Sequence, residues 1–275
     1  MATSSRSQQS KRSSQRMISI LLATYNWPQA LKFCLESLST QTDLDFEIVI
    51  ADDGSTSETK YLIEATQNHF PVKITHLWQE DQGFRKTRIL NQAIEVSRGE
   101  YLVFLDGDCI VQPDFVAEHR KLSQAGYLIT GSRVLLSDRL SKQLLSWEHW
   151  NYKRFMRSLL NFRLSGGINK YWPLKIKLGD GSWRNYKKFV WRRIKGCNMA
   201  CWKSDAHAIG GFDETMTGWG HEDADFVFRL QNKSLIRKSG SWSTEVLHLY
   251  HHINDQSHAA ENARRVREKI LAKAR

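Results

Sequence analysis

Four short apolar segments, separated by segments whose apolar residues recur at helical spacing, organise the first half of the chain. Apolar runs of this length that are hydrophobic on both faces are typical of buried strands. Strands that alternate with helices assemble into a mainly parallel sheet covered by helices on both faces. The sequence therefore predicts an α/β fold. The apolar segments are MISILLA at 17–23, FEIVIA at 46–51, VKITHLW at 72–78 and YLVFL at 101–105.

Polar residues follow each predicted strand directly. In open α/β sheets, ligands bind beyond the carboxyl ends of the strands, where the strand order switches. We therefore expect a binding site that gathers these polar side chains at one edge of the sheet. The polar clusters are Thr24-Tyr25, Asp52-Asp53, Gln79-Glu80-Asp81 and Asp106-Gly107-Asp108.

The last of these clusters, Asp106-Gly107-Asp108, indicates a metal site. Two carboxylates that end a buried strand are costly to gather without a counter-charge. A divalent cation with a phosphate ligand supplies one, and hard oxygen donors suit Mg²⁺ or Mn²⁺. Gly107 lacks a Cβ, which would allow a ligand to approach the backbone closely. The alternative interpretation is an ordinary Asp-Gly-Asp turn without a ligand.

Three basic residues, Arg85, Lys86 and Arg88, lie near the start of the helix that precedes the fourth strand. Together with the backbone amides of that helix N-terminus, they are placed to contact phosphate. The alternative is a solvated basic helix face. Neither GxxxxGK[ST] nor GxGxxG occurs in the chain, so nucleotide binding through either of these loops is excluded.

Longer motifs carry a family resemblance. TYNWP, ADDGS, DQGFRKTRILNQAI and RGEYLVFLDGDCI follow one another in the first half of the chain. Their order and spacing, over roughly residues 17–136, resemble the family 2 glycosyltransferases of the GT-A fold. A second block at 195–230 contains GWGHEDAD, which is similar to the Gly-Trp-Gly-x-Glu-Asp-x-Asp signature of the β-1,4-galactosyltransferase C-terminal region. The resemblance implies a GT-A-like, Rossmann-type sheet and the inverting, metal-dependent transfer of a hexose from a nucleotide sugar, with UDP as the expected nucleotide.

On the acceptor side, the loop with Trp219 and Gly220 precedes Glu222 and Asp223 at the start of a predicted helix. Acidic residues in a first helical turn can simply complement the helix dipole. A positioned carboxylate is also a natural general base for a sugar hydroxyl, and an aromatic face stacks on a sugar ring. The resemblance implies that Asp223 is the base, that Glu222 holds the acceptor, and that Trp219 and Gly220 border it.

On the donor side, the resemblance implies that the clusters after the first two strands line the nucleoside pocket. It also implies that the basic residues at the start of the helix before the fourth strand lie near the diphosphate. Asp106 would reach the ribose or the metal, and Asp108 would bind Mn²⁺ or Mg²⁺ directly. The residues expected to bind the donor are Thr24, Tyr25, Asn26, Asp52, Asp53, Arg85, Lys86, Arg88, Asn91, Asp106 and Gly107.

A histidine is expected to complete the metal site. The strand-like segment 241–252 ends in His248-Leu249-Tyr250-His251-His252. Alternation puts His248 and Tyr250 on one strand face and His251 on the other, if the strand runs that far. Neutral imidazole is a good ligand for Mn²⁺. The resemblance implies a metal-binding histidine after the acceptor block, with His251 as the first choice by spacing and His248 as the second.

The four cysteines lie in apolar or helical contexts without zinc-ribbon spacing, which predicts reduced thiols in a cytosolic protein. Cys197 and Cys201 are four residues apart and could pair as metal ligands, but no neighbouring His or Cys accompanies them. The segment 196–200 is predicted to lead into a helix at 201–210, which ends at Gly210-Gly211.

Net charge and aromatic content predict the partners. The formal charge is +11, which implies an anionic partner such as nucleic acid, an acidic membrane face or phosphorylated substrates. The region 137–195 interleaves basic residues with tryptophans in the manner of a segment bound to an anionic bilayer. With the resemblance, this favours a glycan or lipid-linked acceptor, such as a lipopolysaccharide core or surface polysaccharide, at the inner face of a bacterial plasma membrane.

The predicted organisation has five parts and two functional alternatives. A disordered basic lead-in (1–16) precedes the nucleotide-sugar half (17–136), the basic aromatic insertion (137–195), the acceptor half (196–255) and a C-terminal helix (256–275). No stretch is long and apolar enough to span a bilayer. A nucleic-acid-binding protein would explain the charge and the tryptophans, but not the polar strand ends. A nucleotidyltransferase would share the metal carboxylates and release pyrophosphate.

Overall fold

The computed structural model describes residues 17–191, 193–252 and 256–274, so the predicted lead-in 1–16 lies outside the described residues. The alternation of strand and helix predicted for the first half is confirmed. Every residue of the first two strands is buried, which is why both of their faces are apolar. The strands are β1 (Ile18–Thr24), β2 (Phe46–Asp52), β3 (Ile74–Trp78) and β4 (Tyr101–Asp106), separated by helices α1 (Pro28–Ser39), α2 (Ser57–Gln67) and α3 (Lys86–Val96).

A large mixed sheet forms the centre of the described structure. β3, β2, β1 and β4 lie side by side and parallel, so their carboxyl ends meet at one edge. The order continues from β4 through β9, β6 and β10 to β8, and the β4–β9, β9–β6 and β10–β8 pairs are antiparallel. The added strands are β6 (Tyr127–Thr130), β8 (Asn185–Tyr186), β9 (Asn198–Trp202) and β10 (Ile236–Ser239).

The structure corrects the predicted secondary structure around Cys201. The sequence predicted a helix from 201, but Asn198–Trp202 forms strand β9, and helix α8 (Lys203–Ala208) begins after it. β9 fills the space between β4 and β6, so the backbone groups on that side of β4 are paired. Pairing between distant segments therefore overrides the local helical preference of this stretch.

A smaller sheet joins the end of the region 17–136, predicted to bind the donor, to the end of the region 196–255, predicted to bind the acceptor. β11 (Glu245–His248) lies between β5 (Cys109–Val111), to which it is antiparallel, and β7 (Ser132–Leu135), to which it is parallel. The register pairs His248 with Cys109. The strand ends at His248, so the predicted alternation does not extend to His251.

The region 137–195 packs a hydrophobic core of its own against this smaller sheet. Phe155, Leu159 and Phe162 are buried in one cluster with Val134 of β7 and Leu247 of β11. The first two helices of the region begin at side-chain caps, because Ser137 Oγ and Asn151 Oδ1 accept hydrogen bonds from backbone amides three residues later. The elements are α5 (Asp138–Leu145), α6 (Tyr152–Arg157), α7 (Leu159–Leu164) and the 3₁₀ turns Trp172–Leu174 and Ser182–Arg184.

The C-terminal helix packs beside the acceptor half. Its Lys269 Nζ lies 2.7 Å from carboxylate oxygens of both Asp213 and the fully buried Asp225. No helix among the described residues has the length and apolar character needed to cross a membrane. The remaining helices are α4 (Phe115–Leu122), α9 (Glu222–Asn232) and α10 (Ala259–Ala274).

Candidate functional site

The strand-end clusters meet at the carboxyl edge of the parallel strands. Gln79 Nε2 donates to Asp53 Oδ1 at 2.5 Å, and the backbone amide of Arg85 donates to Asp53 Oδ2 at 2.9 Å. Burial raises the pKa of Asp53 above its usual value, while these two hydrogen bonds oppose the shift. Asp53 thus links β2, the segment after β3 and the start of α3.

Asp52 is held within the protein and is fully buried. Its Oδ1 accepts a hydrogen bond from the Ser55 amide at 2.8 Å, and its Oδ2 lies 3.0 Å from His76 Nε2. A carboxylate with both oxygens engaged in this way orders the turn after β2. Of the paired aspartates, Asp53 is therefore the one that lies nearer the basic helix.

The segment after β1 lies over the same turn. The Tyr25 hydroxyl donates to Asp81 Oδ2 at 2.8 Å, and the Asn26 amide donates to Ser55 Oγ at 2.8 Å. Asn26 has a φ of +45°, in the left-handed region that Asn tolerates better than most residues. Thr24 is buried at the end of β1, and Tyr25 and Asn26 are exposed.

Gly107 packs closely against strand β1. A Cβ at this position would lie 3.1 Å from the Ala23 carbonyl oxygen and 3.2 Å from Thr24 Oγ1. The Gly107 amide also donates to the Ala23 oxygen at 2.7 Å. The close approach therefore involves strand β1, which fixes the turn that carries Asp106 and Asp108.

Lys86 lies between acidic groups of the two halves. Its ammonium group forms an ion pair with Asp106. Burial alone would lower the pKa of Lys86, but the carboxylates of Asp106 and Glu222 reverse the effect and raise it above the usual value. Because Glu222 begins helix α9, this interaction brings the acceptor half up to the donor half.

Glu222 and Asp223 occupy the first turn of α9 and differ in environment. Burial raises the pKa of Glu222 to about 7, with smaller contributions from Asp223 and Asp106 that Lys86 opposes. Asp223 Oδ2 accepts from the Gly196 amide at 2.8 Å, and its Oδ1 accepts from the Ala224 amide at 2.7 Å. Two carboxylates with different hydrogen-bond partners therefore lie side by side.

Asp108 is the centre of a group of possible metal ligands. Its Oδ2 lies 3.3 Å from His251 Nε2 and 3.6 Å from His248 Nε2. Both histidines place Nδ1 against a backbone carbonyl, at 2.9 Å for His248 and 2.7 Å for His251. Since a carbonyl only accepts, each Nδ1 carries a proton, which leaves Nε2 as the nitrogen available to a cation. One carboxylate and two imidazoles oriented in this way fit Mn²⁺.

Comparison with known proteins agrees with this arrangement. The family model described as glycosyl transferase family 2 matches residues 19–189. A second model, described as the N-terminal domain of galactosyltransferase, matches residues 183–252. The first match covers more than half of the chain.

The chain belongs to glycosyl transferase family 2.

Curated relatives of this family 2 member include bacterial glycosyltransferases. Validoxylamine A glucosyltransferase of Streptomyces hygroscopicus subsp. jinggangensis (strain 5008) is 25% identical over 255 residues, which are 84% of this chain and 56% of that protein. The uncharacterized glycosyltransferase YfnE of Bacillus subtilis (strain 168) is 36% identical over 247 residues, which are 79% of this chain and 61% of that protein. The chain thus spans little more than half the length of these relatives.

Solved structures of glycosyltransferases share the fold. The mannosyltransferase PcManGT of Pyrobaculum calidifontis, solved in complex with GDP-Man and Mn²⁺, has a TM-score of 0.63 at 14% identity; the match covers 94% of this chain and 65% of that one. TarS of S. aureus has a TM-score of 0.60 at 15% identity, and the match covers 93% of this chain and 40% of the TarS chain. The family 2 member therefore has the predicted GT-A-type α/β fold.

The predicted site residues are not all equally close to the site. Asp106, Lys86 and Glu222 interact electrostatically. Arg88 is exposed on α3, and the side chain of Arg85 donates to the Gln82 carbonyl at 3.3 Å. Their roles remain predictions. The side chain of Asn91 contacts the region 196–255, because it exchanges hydrogen bonds with the Phe212 backbone and donates one to Glu214. Trp219 and Gly220 lie on the loop before α9.

Three residues that contact the site were absent from the predicted binding residues, although one of them, Gln79, lay in a predicted strand-end cluster. His76 and Gln79 bind Asp52 and Asp53, and Arg133 Nη1 lies 3.4 Å from His248 Nε2. Gln79 belonged to a strand-end cluster, so its position after β3 was the available signal. Arg133 lies on β7 and meets His248 only because β7 pairs with β11, which no local pattern indicates.

Proposed function

We propose that this chain transfers a hexose from a nucleotide sugar, expected to be a UDP sugar, to a hydroxyl of a glycan or lipid-linked glycan, with inversion at the anomeric carbon. One observation carries the proposal. The Asp108 group of possible metal ligands, the Lys86–Asp106 pair and the Glu222–Asp223 pair come from distant parts of the chain and adjoin one another. Family membership supports the same reaction and favours it over nucleic-acid binding.

A short series of contacts connects Asp223 with Asp108. Asp223 binds the amide of Gly196, and the next residue, Cys197, lies within 4.8 Å of Cys109 and His248 at their ligand atoms. Asp108 directly precedes Cys109 and contacts His248. The predicted base and the predicted metal ligand therefore adjoin the same part of the molecule, as a single displacement requires.

On the donor side, we assign Asp53 and its neighbours to the nucleoside and Lys86 to the diphosphate. Asp108, His248 and His251 would hold the divalent cation, and Mn²⁺ in the PcManGT complex supports this choice of metal. When bound, the cation would offset negative charge on the departing nucleoside diphosphate. The ammonium group of Lys86 lies at the end of β4, beside Asp106. At this position it would add a second positive charge near the diphosphate.

On the acceptor side, one carboxylate of α9 takes the proton of the attacking hydroxyl. We assign this role to Asp223, with Glu222 holding the acceptor and Trp219 and Gly220 bordering it. The raised pKa of Glu222, about 7, supports it as the second candidate, since a general base works best when its pKa is near the operating pH. Inversion needs no covalent intermediate with the protein.

A panel of nucleotide sugars with Mn²⁺ tests the reaction, with binding followed by thermal shift and products identified by chromatography. A metal-dependent shift with one donor, and release of its nucleoside diphosphate when an acceptor is added, is the expected result. Release of pyrophosphate would indicate a nucleotidyltransferase. No metal-dependent donor binding across the panel would refute the proposal.

The surface of the region 137–195 supports an acceptor at an anionic membrane. Leu160 and Leu164 lie one turn apart on α7 and are 55% and 78% exposed. Arg157 and Arg163 are exposed beside them. Exposed leucines flanked by arginines match the chemistry of an anionic bilayer surface, where each basic residue contributes about 1 kcal/mol. We therefore place the acceptor, such as a lipopolysaccharide core or surface polysaccharide, at the inner face of the bacterial plasma membrane.

Vesicle sedimentation tests the membrane proposal. The protein should sediment with vesicles containing phosphatidylglycerol at low salt, and Leu160→Ser/Leu164→Ser should weaken this binding by about tenfold or more through lost apolar burial. Leu271→Ser on α10 is a matched control, because Leu271 is 63% exposed and belongs to a different helix. Equal recovery with anionic and neutral vesicles would contradict the proposal.

A further inference from the structure

Two buried cysteines adjoin the predicted metal ligands. The sulfur atoms of Cys109 and Cys197 and a ring nitrogen of His248 lie within 4.8 Å of one another. Cys109 begins β5, and Cys197 precedes β9, so the two thiols meet through folding and not through sequence spacing. The sequence spacing would allow Cys197 to pair with Cys201, but Cys201 lies in β9, outside this group.

Asp108 adds a fourth donor to this set. Its Oδ1 lies 3.5 Å from Cys109 Sγ, and its Oδ2 lies 3.6 Å from His248 Nε2. Tetrahedral zinc with bonds of 2.0–2.3 Å separates its ligand atoms by about 3.3–3.8 Å. The Oδ1–Sγ separation lies in this range, and the second separation involves the other oxygen, so Asp108 contacts two members of the set with different oxygens of one carboxylate.

The surroundings of the four donors also suit zinc. Cys109, Cys197 and His248 are all buried, which is typical of closed tetrahedral sites. The hydrogen bond from His248 Nδ1 to the Leu249 carbonyl fixes Nε2 as the ligand atom. Arg133 Nη1 lies 4.0 Å from Cys197 Sγ and 3.4 Å from His248 Nε2. With Zn²⁺, two thiolates and one carboxylate, the set carries a net charge of −1, which this guanidinium offsets.

We propose that Asp108, Cys109, Cys197 and His248 form a zinc site that shares two ligands with the site proposed for Mn²⁺. Sulfur donors select Zn²⁺ over Mn²⁺, whereas Asp108 and His251 suit either metal. Binding replaces the two thiol protons by Zn²⁺ and releases both protons to solvent. Because Asp108 and His248 cannot serve both metals at once, Zn²⁺ competes with the Mn²⁺-dependent reaction, a consequence that rests on the proposed function.

Cobalt spectroscopy of the full chain tests the site without a nucleotide sugar. Co²⁺ replaces Zn²⁺ in tetrahedral sites, and thiolate ligands give it a charge-transfer absorption in the near ultraviolet. Under reducing conditions, Co²⁺ should produce this band with the wild-type protein, and one equivalent of Zn²⁺ should abolish it. The absence of a thiolate band with wild-type protein overturns the proposal, whatever the variants do.

Matched variants locate the ligands. Cys109→Ser/Cys197→Ser should weaken Zn²⁺ binding, measured by competition with a chromophoric chelator, by about 100-fold or more. Cys34→Ser/Cys201→Ser removes the other two buried thiols and should leave the Zn²⁺ affinity unchanged. Equal Zn²⁺ affinity in both double variants overturns the proposal.

The same variants separate this inference from the proposed function. His251→Ala should weaken Mn²⁺ binding and retain the thiolate–cobalt band, because His251 is a member of the hard-ligand group alone. A protein that gives the band but shows no Mn²⁺-dependent donor binding would retain the zinc site and lose the proposed function. If His251→Ala loses both Mn²⁺ binding and the thiolate–cobalt band, the proposal of a separate thiolate site is overturned.

Discussion

Replacing Glu222 by glutamine should stabilise the protein at high pH and have much less effect at low pH. Burial and the carboxylates of Asp223 and Asp106 raise the pKa of Glu222 from 4.5 to about 7 in the folded protein. Between these two values the folded state holds a proton that the unfolded state has lost, so the stability falls as the pH rises through this range. Glutamine is neutral at every pH and keeps the shape of the protonated acid.

The magnitude follows from the shift of the Glu222 pKa. One pKa unit corresponds to about 1.4 kcal/mol, so the shift destabilises the folded state, relative to a side chain that is neutral in both states, by about 3 kcal/mol at pH 8, where Glu222 is ionised, and by about 1 kcal/mol at pH 5, where only the unfolded state has lost the proton. Glu222→Gln should recover most of this cost at pH 8. The positive charge of Lys86 opposes part of the gain, because Lys86 interacts with ionised Glu222.

Urea denaturation of the wild type and of Glu222→Gln at pH 5 and pH 8 measures the effect. Glu148→Gln is the control, since its side chain is 91% exposed and the substitution also removes one carboxylate. The free energy of unfolding should rise for Glu222→Gln mainly at pH 8 and change little for the control. An equal change for Glu222→Gln at both pH values would refute the raised pKa and the proximity of Glu222 to Asp106.

Three further predictions concern the site and the loop beside it. Asp108→Ala should abolish Mn²⁺-dependent donor binding by removing the carboxylate between the two histidines; retained metal dependence in a thermal-shift titration would exclude Asp108 as a ligand. Asp223→Asn should leave the donor affinity nearly unchanged while turnover falls by about 10²–10⁴-fold, and an unchanged rate would exclude it as the base. Asn262→Leu should lower the free energy of unfolding by about 1–3 kcal/mol, because buried Asn262 Nδ2 donates to the Thr217 and Gly220 carbonyls at 3.1 and 3.0 Å; an unchanged denaturation midpoint would contradict this.

The parallel half of the fold was predictable because its signals are local. β1, β2 and β4 are apolar on both faces, and the helices between them repeat apolar residues at helical spacing. The carboxyl ends of parallel strands meet at one edge, so the proximity of Asp53 to the segment after β3 followed from the strand pattern alone. The family resemblance then implied that a histidine, His251 or else His248, joins Asp108 in one metal site, and the structure places both beside Asp108.

Other features depended on pairing between distant strands. The last two residues of β9, Cys201 and Trp202, were predicted to begin a helix, because nothing in Asn198–Trp202 indicates that it lies between β4 and β6. Arg133 and Cys197 were not predicted to contact His248, since both contacts require the β7–β11 pairing and the β9 insertion. Such contacts depend on which strands pair. Strand pairing in turn depends on leaving as few backbone N–H and C=O groups as possible without a hydrogen bond over the whole sheet.

The sequence by itself determined the parallel strands, the helices between them and the acidic residues at the strand ends. Burial on both faces of a strand and the periodicity of a helix can be recognised from residues that are close together in the chain. Only the tertiary structure decided that His248 lies opposite Cys109 and that the amide of Gly196 binds Asp223. The physical reason is that a hydrogen-bonded register joins residues far apart in the chain, and a shift of one residue would turn each side chain to the other face.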